Sequence, residues 1–110
     1  MFIEPSLKDV NISKLLNADC VEIHTGKFCN LVNEKKNYKK ELNRIKNAAI
    51  LGNKLGLEVH AGHGLTFESA KILTKVLQIK EFNIGHFLIG ESIFVGLSST
   101  IKRFKRILKK

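Results

Sequence analysis

Leu57-Glu58-Val59-His60-Ala61-Gly62-His63-Gly64-Leu65-Thr66 is the stretch that decides the fold. Its first half, Leu57–Ala61, is a short apolar run that predicts a strand. Two glycines around His63 predict a loop, and Thr66 is a candidate N-cap for a helix that reaches about Leu77. The stretch therefore predicts one strand–loop–helix unit.

The remaining sequence repeats this order. Short strands are predicted at 1–3, 20–24 and 82–84, with a long polar loop from Thr25 to about Asn37. Helices are predicted from Ser6, from about Tyr38 to Lys54, at 87–95 and at 97–108. Strands that alternate with helices indicate parallel pairing. Short strands that end in glycine or polar residues favour a barrel over an open doubly wound sheet. We therefore expect residues 1–110 to form one partial (β/α)8 domain, with about four βα units of a TIM barrel.

Three details of the helices are also predicted. Ser6 caps the first helix, and Gly56 ends the third in a left-handed conformation. The inner face of the first helix is expected to consist of Leu7, Val10, Leu15 and Leu16. The inner face of the helix after Tyr38 is expected to contain Leu42, Ile45, Ala49, Gly52 and Leu55, with the charged residues, Glu41 among them, mainly elsewhere.

The composition is that of an ordinary soluble globular protein, with 44% hydrophobic and 26% charged residues in a chain of 110. No apolar run reaches the roughly 18 residues that span a bilayer, and no signal-peptide pattern is present. We expect a cytoplasmic location. Cys20 is interpreted as a small buried hydrophobe, whereas Cys29 lies in the polar loop and could be exposed; neither is indicated as a nucleophile.

The net charge of +9 comes mainly from lysines at 35–46 and 102–110. A surface for nucleic acid or an anionic membrane is one interpretation. Solvated helix faces are the preferred one, because arginines are few and no aromatic residues alternate with the lysines to stack on bases. Part of the charge could attract anionic substrates.

His63 is the main candidate for chemistry. A histidine between two glycines directly after a strand is poorly explained by core packing, and its pKa near neutrality suits proton transfer. A structural turn histidine is the alternative. Gly85-His86, before a short helical pattern, could bind phosphate through backbone amides together with Gly64, or could be a plain turn.

Glu22 is the candidate carboxylate. It lies in an apolar strand, facing away from Val21 and Ile23, and would be an acid–base or electrostatic group at the active edge of a barrel. A carboxylate satisfied by a neighbouring strand is the alternative. His24 points to the same side and could pair with Glu22, whereas His60 is interpreted as structural or exposed.

Three motifs in this order resemble the pyridoxine 5′-phosphate synthase family. They are Val21-Glu22-Ile23-His24-Thr25-Gly26, then Ala61-Gly62-His63-Gly64-Leu65, then Asn83-Ile84-Gly85-His86. Phe2-Ile3-Glu4-Pro5 and Val95-Gly96-Leu97 also match its pattern, so the likeness covers essentially the whole chain.

The resemblance implies condensation of 1-deoxy-D-xylulose 5-phosphate with 3-amino-2-oxopropyl phosphate, which gives pyridoxine 5′-phosphate, phosphate and water. By position, His63 matches the family's proton donor and Glu22 its transition-state-stabilising carboxylate. Gly64, Gly85 and His86 match residues that bind the amino-ketone phosphate. The resemblance implies no metal or organic cofactor, a cytoplasmic enzyme and a homo-oligomer, typically an octamer.

The resemblance covers only the C-terminal half of the family's pattern. The family's first four βα units, with its two general bases, have no counterpart here, so the chain alone is expected to be inactive or feebly active. Another phosphate-binding barrel enzyme, a basic nucleic-acid-binding module and a decayed fragment are the alternatives.

Overall fold

The computed structural model describes residues 1–83 and 97–109. Its strands are β1 (Phe2–Ile3), β2 (Cys20–His24), β3 (Glu58–Gly62) and β4 (Ile79–Asn83). Its helices are α1 (Leu7–Leu15), α2 (Gly26–Asn33), α3 (Lys39–Lys54), α4 (Phe67–Leu73) and α5 (Leu97–Leu108). The helix predicted at 87–95, and Gly85-His86, lie outside the described residues.

The sheet has the order β1-β2-β3-β4, and every neighbouring pair is parallel. A doubly wound sheet reverses its strand order at a switch point, whereas successive strands of a barrel are always neighbours. The described strands follow the second rule. The prediction of parallel βα units of the barrel type is therefore confirmed.

The two faces of the sheet differ in chemistry because side chains alternate along each strand. One face is buried under the helices and consists of Val21, Ile23, Val59, Ala61 and Ile79. Burial of a valine or isoleucine side chain contributes roughly 1.5–3 kcal/mol, so this face stabilises the fold. The opposite face is polar and carries Glu22, His24, His60, Glu81 and Asn83.

Helix α2 corrects the prediction of a long loop from Thr25 to Asn37. Phe28, Cys29 and Val32 lie at helical spacing and are buried, so the segment folds as a helix against the core. The helix contains a glycine and two asparagines, residue types with low helix propensity, and these favoured a loop in the sequence-based prediction. The expectation that Cys29 could be exposed is wrong for the same reason.

The predicted caps are confirmed. The Ser6 side chain accepts a hydrogen bond from the Asp9 amide, and Gly56 has a φ of 83° after α3. Helix α4 ends at Leu73 rather than at the predicted Leu77. Directly after this end, the Thr74 hydroxyl donates a hydrogen bond to the carbonyl of Lys71 at 2.7 Å.

Strand boundaries differ by small amounts from the prediction. Strand β4 begins at Ile79 rather than at the predicted Phe82. The prediction missed its first residues because Lys80 and Glu81 are charged and exposed, so this part of the strand has no apolar pattern. Val59 is paired with Ile79 and His60 with Glu81, so Lys80 is an extra residue in a bulge. Strand β3 is displaced by one residue from the predicted Leu57–Ala61.

The predicted inner face of α1 is largely wrong. Val10 is buried, but Leu7, Leu15 and Leu16 are 51%, 80% and 63% exposed. Val10 and the buried Ser13 lie three residues apart, so the inner side of the helix is narrower than its apolar content suggests.

The inner face of α3 is confirmed at Ile45, Ala49 and Gly52, which are buried, and at Leu42 and Leu55, which are partly buried. Glu41 was expected outside this face but is also buried, where it accepts a hydrogen bond from Arg44 Nη1 at 2.8 Å.

The lysines of both basic segments are exposed wherever the structure describes their side chains, which fits both solvated helix faces and an anion-binding surface. Among residues 1–83 and 97–109, none of the helices has the length and apolar character needed to cross a bilayer.

Candidate active site

The carboxyl ends of β2, β3 and β4 lie side by side, with His24 opposite Gly62 and Gly62 opposite Asn83. Glu22 projects from the polar face two residues before the end of β2. The Asn83 side-chain amide donates a hydrogen bond to Glu22 Oε1, across the intervening strand β3. The carboxylate is therefore held at the carboxyl edge of the sheet.

Gly62 makes room for this contact. A Cβ atom at position 62 would lie 2.9 Å from Glu22 Oε2 and 3.0 Å from Asn83 Cβ. These separations are shorter than carbon contacts normally allow. Any side chain at position 62 would therefore push Glu22 and Asn83 apart.

His63 follows β3 and is exposed to solvent. Its φ of 86° lies in the left-handed region, which is uncommon for a residue other than glycine. The imidazole is thus presented at the same edge as Glu22. Such backbone strain persists only where the surroundings hold it in place.

Thr25 supplies that support. Its buried hydroxyl donates to the carbonyls of Gly62, at 2.7 Å, and of His63, at 2.9 Å. The Thr25 amide also donates to the Gly62 carbonyl at 2.8 Å. The turn after β2 therefore fixes the backbone of the loop after β3.

Cys29 lies beneath the same loop, and its thiol donates to the His63 carbonyl at 3.6 Å. Burial raises the pKa of the Cys29 thiol, and side-chain hydrogen bonds with Ser69 and Thr25 oppose that rise. A raised pKa keeps the thiol protonated at neutral pH, which suits a hydrogen-bond donor rather than a nucleophile.

The His24 and His63 rings stack, with centroids 4.4 Å apart and planes 26° from parallel. The Gly26 amide donates to His24 Nδ1 at 3.2 Å, and the Phe2 ring approaches His24 edge-on at 5.4 Å. The predicted pairing of His24 with Glu22 is not what the structure describes: Glu22 bonds to Asn83, and His24 contacts Gly26 and His63.

The remaining candidates have different positions. Gly64 is exposed beside His63 with a φ of 77°, whereas Gly85 and His86 lie outside the described residues. His60 is 17% exposed, and its Nε2 lies 3.4 Å from a Glu81 oxygen and 3.5 Å from a Glu58 oxygen. That nitrogen makes no hydrogen bond to the described part of the chain. The described part of the chain contains no group of three or more histidine, cysteine or carboxylate side chains placed to hold a metal ion.

Comparison with known proteins identifies the family. The family model described as "Pyridoxal phosphate biosynthesis protein PdxJ" matches residues 1–110. The chain belongs to the PdxJ family. The resemblance predicted from the three sequence motifs is thereby confirmed.

Curated relatives in this family carry the name pyridoxine 5′-phosphate synthase. The protein from Pelagibacter ubique is 57% identical over 110 residues, which are all of this chain and 46% of that protein. The Zymomonas mobilis protein is 48% identical over 98% of the chain and 41% of its own length. The Sulfurihydrogenibium protein is 42% identical over 98% of the chain and 44% of its own length. The chain therefore spans less than half the length of these relatives.

Sequence reasoning identified Glu22, His63 and Gly64 at this edge but did not identify Asn83, Thr25 or His24 as their supports. The sequence motifs contain these three residues, but the sequence does not show which groups they contact. Which residues of β2 and β4 lie beside Gly62 depends on the strand register, which the bulge at Lys80 alters.

Proposed function

We propose that this chain supplies one part of the active site of a pyridoxine 5′-phosphate synthase. The reaction condenses 1-deoxy-D-xylulose 5-phosphate with 3-amino-2-oxopropyl phosphate into pyridoxine 5′-phosphate, phosphate and water. The observation that carries the proposal is the exposed His63, in a strained and supported loop at the same sheet edge as Glu22. Membership of the PdxJ family supports the choice of reaction.

His63 acts as the proton donor in this proposal. Ring closure requires amine–ketone condensation, loss of phosphate and loss of water, and each of these steps moves protons. An imidazole titrates near neutral pH and serves such transfers well. Its exposure at the sheet edge lets it reach a bound substrate.

Glu22 stabilises positive charge that develops on the reacting nitrogen in this proposal. Its orientation is fixed by the Asn83 amide, so the negative charge is placed before the reaction begins. Preorganised charge of this kind is often the largest contribution to catalysis. Gly64, with Gly85 and His86, binds the amino-ketone phosphate.

The proposal extends to setting and partners. The substrates are small anionic phosphates, and no resident metal or organic cofactor takes part. The enzyme works in the cytoplasm as a homo-oligomer, an octamer by analogy with the family. Exposed lysines on the helix faces favour the approach of anionic substrates.

A chimera tests the proposal without depending on what the chain does alone. The 110-residue chain replaces the matched 46% of the Pelagibacter ubique protein. Formation of pyridoxine 5′-phosphate from the two phosphates is then followed. Turnover is expected. A well-folded chimera without turnover would favour another phosphate-binding barrel enzyme.

His63→Asn in the chimera tests the proton donor. General acid catalysis is typically worth about 10²–10⁴-fold, so kcat is expected to fall by at least about 100-fold. Glu68→Gln, at an exposed position in the first turn of α4, is the control and should leave kcat unchanged. A kcat within a few-fold of the parent would show that His63 is not the donor.

A further inference from the structure

We propose that His24 is a positioning residue that holds the His63 imidazole in its working orientation. The importance of this orientation for turnover rests on the proposed function. The contact itself does not, because it follows from the geometry of the β2–α2 and β3–α4 turns. Neither the family model nor the names of the relatives give His24 a role.

His24 is itself fixed from three sides. Its backbone belongs to β2, its Nδ1 accepts the Gly26 amide hydrogen, and the Phe2 ring contacts it edge-on. The bond from the Gly26 amide fixes the direction in which the Nδ1 edge of the ring points.

A ring that is fixed in this way is a suitable support for His63. Aromatic pairs favour offset stacking with centroids about 4.5–7 Å apart, and the 4.4 Å separation lies just below the short limit of this range, so the two rings are in close contact. His63 is exposed, so its side chain could rotate on the solvent side unless a neighbouring group holds it. Stacking on His24 provides that restriction, while the Thr25 hydroxyl fixes the His63 backbone.

Gly26 allows the two rings to approach. A Cβ atom at position 26 would lie 2.6 Å from His24 Cε1 and 2.9 Å from His63 Cδ2. Glycine, which has no Cβ atom, is therefore the residue that fits between the two rings and the start of α2. This close fit involves both imidazoles at once, which connects His24 and His63 through a single backbone position.

Kinetics of the active chimera test the positioning role. His24→Ala is expected to lower kcat about tenfold and leave KM within about twofold, because misplacing a catalytic group affects the reaction more than binding. His24→Phe, which keeps a flat ring, should recover most of kcat. Asn30→Ala, at an exposed and uncharged position in α2, is the control with unchanged kinetics.

The rescue separates stacking from other roles. A kcat for His24→Ala within twofold of the parent would overturn the proposal. Equal losses in His24→Ala and His24→Phe would also overturn it, because the ring face would then not be what matters. Gly26→Ala, which forces the rings apart, should lower kcat as His24→Ala does, and normal turnover in it would contradict the proposal.

NMR of the histidine rings in the 110-residue chain gives a result that does not depend on turnover. The His63 Cδ2 proton should move downfield in His24→Ala, when the shielding from the neighbouring ring is lost, and should stay near its original position in His24→Phe. If the parent chimera is inactive but this shift occurs, the positioning of His63 stands and the proposed reaction fails. An unchanged His63 resonance in His24→Ala would overturn the positioning proposal, whatever the activity.

Discussion

Two threonines occupy equivalent places in successive βα units, and their hydroxyls do different work. Thr66 precedes α4 and accepts from the Ser69 amide at 3.4 Å, while Ser69 Oγ accepts from the Thr66 amide at 2.8 Å. Thr25 precedes α2, but its side chain makes no capping hydrogen bond among the described residues. It donates instead to the carbonyls of Gly62 and His63.

The difference separates a local role from a long-range one. The capping pair at Thr66 stabilises its own helix by satisfying amides of the first turn. Thr25 leaves its own helix without a side-chain cap and connects its βα unit to the next through Gly62, 37 residues further along the chain. The geometry around His63 therefore depends on the turn before α2 more than on the helix that follows His63.

Thr25→Val is expected to have the largest effect of the changes that test this difference. It keeps the shape of the side chain but removes the buried donor to two carbonyls, which should lower the free energy of unfolding by about 2–3 kcal/mol. Urea denaturation of the chain measures this loss. Thr25→Ser keeps the hydroxyl and should lose less. Equal losses in the valine and serine variants would show that the methyl group, rather than the hydroxyl, matters.

Thr66→Ala should have a smaller effect, of about 1 kcal/mol, as for other N-caps. The loss should remain local to α4, so the NMR signals of the His63 ring should change less than in Thr25→Val. A loss as large as that of Thr25→Val would contradict the distinction between the two threonines. Hydrogen exchange of the first-turn amides of α4 would locate the effect.

Cys29 should give the smallest effect, visible only at alkaline pH. Burial raises its pKa above the ordinary value of about 8.5, so above that pH the unfolded chain loses the thiol proton before the folded chain does. The free energy of unfolding should therefore fall as pH rises from about 8.5 toward the folded pKa.

Denaturation midpoints at pH 7 and at about pH 9.5 would measure this loss. Cys29→Ala should show a smaller decline between the two, and Cys20→Ala, at a partly exposed position, serves as the control. Parallel declines in the parent and Cys29→Ala would contradict the assigned cause.

Local signals predicted local structure well. Ser6, Gly56 and Thr66 were identified from residue type and position alone, because caps and left-handed turns depend on only a few neighbouring residues. Helix α2 was missed because its stability comes from burying Phe28, Cys29 and Val32 against other elements. The leucines of α1 were wrongly assigned to its inner face, because the spacing of apolar residues does not show which other elements pack against a helix.

The site was predictable in part for a related reason. Alternation along β2 places Glu22 on the face opposite Val21, and glycines mark the loop around His63. The partners of these residues depend on contacts between distant segments. Asn83 reaches Glu22 only because of the strand register and the absence of a side chain at Gly62.

The left-handed backbone of His63 has a consequence for how this position responds to substitution. In that conformation an ordinary side chain costs roughly 1–2 kcal/mol that glycine avoids. Glycine at position 63 would avoid this cost, but it would lose more backbone freedom on folding. The His63 imidazole is thus carried by a backbone conformation that its residue type disfavours, and we expect substitutions that loosen this loop to lower turnover.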